Sequence, residues 1–262
     1  MMKKTARQLK VKVAGNEKVK ENIYRLSFRS DYLSKHSLPG NFIHIKIENT
    51  VLRRPFSVHD IKGDKVYVLF KVRGKGTRFL SEYKRGRSLD VIGPLGRGFS
   101  LKVPGESLNI IIAGGIGVAP LVFLARKIGK RGQRGNNLAI LGFENTGDIV
   151  CEEEFRRLAY KVYISTEDGS RGEKGNSVGI LKRILSGYPE ETFMRIYACG
   201  PKDMFFEINK TAKKFPNAEC EVSFEQFMGC GLGVCCACVI ETKTGYRKIC
   251  RDGPVFDIKE IW

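Results

Sequence analysis

The sequence predicts a multi-domain α+β chain. An antiparallel β-barrel unit comes first, a parallel α/β unit second, and a small cysteine-rich unit last. Three observations carry this reading. Up to about residue 100, apolar and polar side chains alternate with period two. Beyond it, continuous apolar runs alternate with helix-like stretches, and near the C-terminus four cysteines crowd into residues 230–238. With 262 residues there is room for two or more cores. A composition 42% hydrophobic and 28% charged is globular, which excludes disordered and fibrous classes.

In the first unit Ile43, Ile45 and Ile47 alternate with His44 and Lys46, and Val66, Val68, Phe70 and Val72 alternate with Tyr67, Leu69 and Lys71. Such strands expect one buried face and one polar face. Leu38-Pro39-Gly40, Lys62-Gly63-Asp64 and Gly93-Pro94-Leu95-Gly96 supply turns. The run Ile110–Ala113 reads as a buried parallel strand. Ser107 to Ala125 carries no charge and reaches the length of a membrane span, but Gly114, Gly115, Gly117 and Pro120 make it a strand, a turn and a helix start. A helix is expected from Pro120 to Arg131. Leu138–Leu141 then leads to a helix at Glu152–Ala159, Val162–Ile164 to one at Asn176–Leu185, and Arg195–Ala198 to one at Pro201–Lys214. Strands alternating with helices imply a parallel sheet. The expected domains are residues 1–102, 103–224 and 225–262.

The formal net charge of +18 invites an acidic partner, a nucleic acid or an anionic membrane. The basic residues are scattered (Lys10, Lys12, Lys18, Lys20, Arg85, Arg87, Arg131, Arg134), and no aromatic-interleaved groove or helix-turn-helix reads out. No nucleic acid and no membrane are therefore expected, and a zinc-containing nucleic-acid binder is a remote alternative. Met1-Met2-Lys3-Lys4 is followed by no apolar core, so the expectation is a cytoplasmic chain with reduced thiols.

Cys230, Cys235, Cys238 and Cys250 follow the spacing C-x4-C-x2-C-x11-C. The first three spacings match the plant-type run for a [2Fe–2S] cluster. Two irons with bridging sulfides need four converging thiolates and nearby N–H donors, and Gly229, Gly231 and Gly233 let the main chain wrap closely. A four-cysteine zinc site is the competing reading, though zinc usually takes two short C-x2–4-C pairs. Cys236 is a spare thiol, and Cys151 and Cys220 read as structural.

Further signals concern nucleotides. Arg53-Arg54-Pro55-Phe56-Ser57 closes a predicted strand: Arg54 suits a pyrophosphate, Phe56 an aromatic ring and Ser57 a flavin nitrogen. Gly74-Lys75-Gly76-Thr77 reads as a Gly-rich entry to a short helix. Gly114-Gly115-Ile116-Gly117-Val118-Ala119-Pro120 sits between a buried strand and a helix, as does Cys199-Gly200-Pro201, so Gly115, Gly117 and Cys199 are candidates for the nicotinamide nucleotide. Glu144, after the next strand, suits ribose hydroxyls and hence NAD over NADP.

The order R-P-F-S, G-x-G-T, G-G-x-G-x-A-P, C-G-P and a terminal C-x-D-G-P-V-F resembles the ferredoxin–NADP⁺ reductase superfamily. More closely, it resembles the electron-transfer subunits of NAD-linked type B dihydroorotate dehydrogenases, over nearly the whole chain. The resemblance implies an FAD-binding β-barrel domain, a nucleotide domain and a [2Fe–2S] domain. It assigns Arg54, Pro55, Phe56, Ser57, Leu69, Phe70, Lys71, Gly76 and Thr77 to FAD, and Cys230, Cys235, Cys238 and Cys250 to the cluster. It implies that electrons from dihydroorotate reach FMN on a separate catalytic subunit, then this chain's cluster, FAD and NAD⁺, in pyrimidine biosynthesis. No FMN barrel fits here, since a TIM barrel alone needs ~250 residues. The implied partner is an FMN-containing TIM-barrel subunit in a heterotetramer of two each. Flavin subunits of a sulfhydrogenase, a sulfite reductase or a ferredoxin–NADP⁺ transhydrogenase share the architecture and are the alternative.

Overall fold

A computed structural model describes residues 6–101, 107–129 and 137–262. Its first sheet is built from β1 (Arg7–Lys20), β2 (Ile23–Arg29), β3 (Phe42–Lys46), β4 (Arg54–Ser57), β5 (Asp60–Lys62), β6 (Lys65–Lys71) and β7 (Ser88–Leu95). These lie in the order β4-β3-β7-β1-β2-β6-β5, every pairing antiparallel. β1 holds the sheet together: its first half pairs with β7, and its second half, past a register shift between Val13 and Gly15, pairs with β2. Such a bulge bends a strand, so the sheet curls into a half-barrel around Val13, Leu26, Phe28, Ile43, Ile45, Val66, Val68 and Val91, all buried. Helices α1 (Asp31–His36) and α2 (Lys75–Ser81) interrupt this unit. α1 falls where the sequence read only strands; Ser30 caps it, its hydroxyl accepting from the Leu33 N–H.

The second sheet contains β8 (Leu108–Gly114), β9 (Asn137–Phe143), β10 (Lys161–Thr166), β11 (Glu173–Lys174), β12 (Met194–Cys199) and β13 (Ala218–Ser223), paired in parallel in the order β11-β10-β9-β8-β12-β13. The uncharged stretch is indeed β8, a 3-10 turn at Gly115–Val118, and α3 (Leu121–Gly129). Among the described residues no helix is long and apolar enough to cross a membrane. The expected helix end at Arg131, the basic Arg134 and the expected 102/103 domain boundary touch residues outside those described. α4 (Glu152–Arg157) stops short of Ala159, which takes φ +62° and breaks the helix. α5 (Ser177–Leu185) is capped by the Asn176 side chain, and α6 (Lys202–Ala212) begins after Pro201.

The two sheets are stitched together. Phe123 of α3 leaves its own domain and inserts into the barrel core, 1% exposed. In return Ile23 and Leu69 of the barrel pack into the core around α3 and β9. Arg126 forks onto Asp60 with two bonds of 2.9 Å, Arg25 meets Glu154 at 3.2 Å, and His59 Nδ1 lies 2.7 Å from the Ala119 carbonyl. This exchange revises the expectation of a solvated polar face: Leu69 is buried under the second sheet's layer, and His44 is buried under a loop from the C-terminal region.

That region supplies β14 (Val239–Thr242) and β15 (Gly245–Lys248), an antiparallel hairpin, then α7 (Ile249–Asp252), β16 (Val255–Asp257) and α8 (Ile258–Ile261). β16 adds antiparallel to β13 and closes the edge of the second sheet. Truncating Phe123 to Ala should lower the thermal unfolding midpoint of the chain by the equivalent of about 3–5 kcal/mol, because a buried aromatic is lost where two cores meet. Calorimetry of the purified variant checks this; an unchanged midpoint would show that the helix does not anchor the barrel.

Candidate functional site

β8 and β12 lie side by side in the middle of the sheet, and the chain leaves them in opposite directions, β8 toward β9 and β12 toward β13. Ligands of open α/β sheets bind at the carboxyl ends of such strands. Here those ends are Gly114 and Cys199, and the barrel's β4 and β6 face them across a cleft of about 600 Å³. Its volume is that of a cofactor site.

The barrel wall contains most of the predicted flavin residues: Arg54, Pro55, Phe56, Ser57, Leu69, Phe70, Lys71 and Thr77 all line the cleft. Phe56 and Phe70 meet edge to face with centroids 5.6 Å apart, and Tyr24 stacks behind Phe70 at 5.9 Å, which gives the wall a rigid apolar floor. The Arg54 guanidinium donates to the Leu52 carbonyl at 2.7 Å and the Arg53 carbonyl at 3.3 Å, which fixes its direction. Gly76 does not line the cleft. It backs Arg54, and a Cβ there would stand 3.3 Å from Arg54 Nε. The Thr77 hydroxyl is spent locally: it accepts from the N–H groups of Arg73 and Gly74 and closes the turn that opens α2. Lys71 reaches across to the nucleotide domain, its Nζ 3.0 Å from both Asp148 oxygens and 4.0 Å from Glu144. Glu144 itself stays mostly exposed at the rim.

On the opposite wall Cys199 lines the cleft, whereas Gly115 and Gly117 do not. Gly117 has a packing reason: a Cβ would come within 2.4 Å of the Cys199 carbonyl oxygen, so only glycine lets this turn close on the end of β12. The cleft-facing residues of that turn are Ile116, Ala119 and Pro120. Burial raises the Cys199 thiol well above its ordinary range, Glu225 adds to this and Ser223 opposes it, so the thiol stays protonated at neutral pH. Sequence reasoning missed Phe42, Leu52, Arg73 and the segment Ser223–Met228, which also line the cleft. Glu225 keeps solvent access at the mouth, but the surrounding walls desolvate its carboxyl and raise its pKa, against the pull of Arg73. Phe227 is 90% exposed beside it. The available signal was position alone, since this segment follows a strand's carboxyl end.

The four spaced cysteines lie beyond Met228. Cys238 and Cys250 are buried, Cys230 is half-buried and Cys235 is exposed. Their sulfurs share the N–H donors of one loop. Cys230 Sγ accepts from Leu232, Val234 and Cys235, Cys235 Sγ from Cys230, Cys250 Sγ from Gly233, and Cys238 Sγ from Cys250, all at 3.1–3.5 Å. Burial raises the Cys230 thiol, but the N–H donors outweigh it and bring the group down to about 6. Burial and the neighbouring thiols of Cys238 and Cys230 push Cys250 up to about 12. Cys236 stands outside this network, at φ +59° with its thiol turned toward the Val234 carbonyl. Among the described residues no three His, Cys, Asp or Glu side chains gather as ligands of a single ion would. A loop of thiols whose sulfurs accept main-chain N–H bonds has the chemistry of an iron–sulfur site, where backbone donors offset the cluster's negative charge.

The comparisons with known proteins bear on both halves of the site. Residues 225–262 match the family model for the iron–sulfur cluster binding domain of dihydroorotate dehydrogenase B, and residues 111–210 match that of an oxidoreductase NAD-binding domain. The chain is 36% identical over 259 residues to the dihydroorotate dehydrogenase B (NAD(+)) electron transfer subunit of Geobacillus kaustophilus, covering 95% of this chain and 96% of that one. It is 35% identical over 260 residues to that of Caldanaerobacter subterraneus, covering 97% and 98%. Among solved structures it superposes on an NADH-dependent reduced ferredoxin–NADP oxidoreductase, described for flavin-based electron bifurcation, with a TM-score of 0.83, 25% identity and coverage of 96% and 89%. A ferredoxin–NADP⁺ reductase of Neisseria gonorrhoeae with bound FAD and NADP shares the fold at a TM-score of 0.68, with 14% identity and coverage of 83% and 99%.

The cluster thiols and the spare thiol Cys236 are told apart by mutation. Cys238→Ser should abolish the electron paramagnetic resonance signal of the reduced cluster while leaving flavin bound, and Cys236→Ser should leave that signal and the iron content unchanged. Loss of iron in Cys236→Ser would contradict the geometry of the loop.

Proposed function

Because the chain belongs to the family of dihydroorotate dehydrogenase B (NAD(+)) electron-transfer subunits, we propose that the cleft and loop just described are its FAD and [2Fe–2S] sites. The chain is an NAD-linked oxidoreductase subunit of pyrimidine biosynthesis, and FAD and a [2Fe–2S] cluster are its cofactors. When bound, the flavin exchanges electron pairs as hydride with a nicotinamide and single electrons with the cluster.

The residues would then divide the work as follows. Phe56, Phe70 and Leu69 form the apolar wall against which the flavin ring lies, and they exclude water from it. Arg54, held by two carbonyls, presents a fixed positive charge to the pyrophosphate, and the absent side chain at Gly76 leaves room beside it. Ser57 offers its hydroxyl at the ring's edge. Cys199, Ile116, Ala119 and Pro120 bound the nicotinamide side, where a neutral, buried thiol adds no charge against an incoming hydride donor or acceptor. Cys230, Cys235, Cys238 and Cys250 hold the cluster, with the loop's N–H groups offsetting its negative charge. The observation that carries this reading is the loop's placement: the segment Ser223–Met228 that leads into it is itself a wall of the flavin cleft.

The family name implies a catalytic partner. In our reading that partner is an FMN-containing TIM-barrel dihydroorotate dehydrogenase chain in a cytoplasmic assembly of two copies each, and NAD⁺ rather than NADP⁺ is the acceptor. The relatives favour this over the sulfhydrogenase, sulfite reductase and transhydrogenase subunits.

Arg54→Ala should lose most bound FAD while keeping its iron; flavin content equal to the parent would contradict the role given to Arg54. Coexpression with an FMN-containing dihydroorotate dehydrogenase chain should yield a complex that reduces NAD⁺ with dihydroorotate. A partner that fails to copurify, or a complex active without this chain, would contradict the assignment of partner.

A further inference from the structure

His59 follows Ser57 by two residues and sits where the barrel meets the nucleotide domain, 2% exposed. Its main-chain N–H donates to the Tyr67 carbonyl at 2.8 Å, which fixes its backbone to β6, the strand that carries Leu69 and Phe70 of the cleft's apolar wall. Its side chain reaches the other domain. Nδ1 stands 2.7 Å from the Ala119 carbonyl oxygen. A carbonyl only accepts, so the proton sits on Nδ1 and one tautomer is selected. Burial holds the imidazole below the ordinary histidine range; the Ala119 carbonyl and the carboxylates of Asp60 and Glu154 oppose this, and Arg25 adds to it. Ala119 and the next residue, Pro120, line the opposite wall of the cleft, between the 3-10 turn and α3. Asp60, also buried, accepts the Arg126 fork further along α3. The dipeptide His59-Asp60 therefore grips α3 in two places, and the His59 bond is the one that acts on a residue lining the cleft.

We infer that His59 is a positioning residue for hydride transfer: its Nδ1–H holds the nicotinamide-side turn at a fixed spacing from the flavin wall. This role presupposes the FAD and nicotinamide sites proposed above; His59 itself lies outside the cleft's lining. A hydride passes only between atoms held about 3–3.5 Å apart and aligned, and a misplacement of about 1 Å costs on the order of a hundredfold in rate. Phe123 and the Arg126–Asp60 fork hold the body of α3 to the barrel, beyond the turn. His59 is the contact at the turn itself. Without its bond the two domains stay docked and the nucleotide still binds, but the wall that aligns the nicotinamide loses its reference to the flavin wall.

Full-length holoprotein is compared as the parent, His59→Leu and His59→Asn, whose amide places a donor near Nδ1. The readouts are FAD and iron content, the charge-transfer absorbance formed on mixing with NADH, and anaerobic stopped-flow reduction of the flavin over a range of NADH concentrations. His59→Leu should keep its flavin and iron, bind NADH within about threefold of the parent, and lose roughly tenfold to a hundredfold in the limiting rate of flavin reduction. Its charge-transfer band should weaken, and His59→Asn should recover most of both the rate and the band. Nitrogen spectra of the ¹⁵N-histidine-labelled parent should contain a ring protonated at Nδ1 that is missing from His59→Asn. A limiting rate in His59→Leu equal to the parent's, an equal loss in both variants, or a parent His59 protonated at Nε2 alone would overturn the inference. Should His59→Leu give no folded holoprotein, parent-like rate and band in His59→Asn support the inference, and a folded but slowed His59→Asn overturns it. Parent protein that lacks FAD, or whose flavin NADH does not reduce, would instead overturn the cofactor assignment, an outcome separate from all of these.

Discussion

Residues 253–257 join all three parts of the molecule, and the rest of the site depends on them. The Arg97 N–H at the end of the barrel donates to the Gly253 carbonyl, Phe224 N–H donates to the Pro254 carbonyl at 2.9 Å, and β16 then pairs with β13. One short stretch therefore ties barrel, parallel sheet and cysteine loop into a single frame. Its consequence is a constraint on distance. Electrons move between cofactors only when these are held close and still, and two domains joined by a flexible tether would not hold a cluster beside a flavin. Here Phe123, the Arg126–Asp60 fork and β16 remove that freedom from three sides. None of these contacts is strong alone, but they share one orientation of the domains.

The electrostatics of the two cofactor sites differ, and the difference follows from where each sits. The cleft we assign to flavin is apolar below and charged at its rim, with Arg54 fixed by carbonyls and Lys71 held by Asp148. The cysteine loop is sheltered on one side only: Cys238 and Cys250 are buried in the hydrophobic core, and Cys235 is exposed. Its negative charge is met by main-chain dipoles from the left-handed and extended turns of a glycine-rich segment. Backbone donors are preorganised and need no side-chain ordering, which is why so short a loop can serve.

Much of this was legible in the residues. The cysteine spacing pointed to the cluster and the continuous apolar runs to the parallel sheet, and the structure gathers nearly all of the barrel residues proposed for flavin into one cleft. What escaped reading did so for physical reasons. β1 alternates over Leu9–Val13 but loses the pattern beyond Gly15, because past a bulge it leaves one neighbour for another. His44 and Leu69 looked like solvent-facing positions, since period two describes one strand and cannot know that a loop or a second domain covers its other side. Glu225 and Phe227 belong to no motif; only the sheet's topology brings them to the cleft. Gly115 and Gly117, candidates for the nicotinamide nucleotide, do not line the cleft, and Gly117 also has a packing reason to be small, the end of β12 being too close.

The central claim is that one rigid chain holds FAD and a [2Fe–2S] cluster in electronic contact and connects them to NAD. Anaerobic titration of the isolated holoprotein with NADH, followed by optical absorbance and electron paramagnetic resonance, tests it most directly. The expected result is flavin bleaching accompanied by the rhombic signal of a reduced [2Fe–2S] cluster. Flavin that bleaches while the cluster stays oxidised and is reducible by dithionite alone would contradict the claim, as would NADH that leaves both untouched.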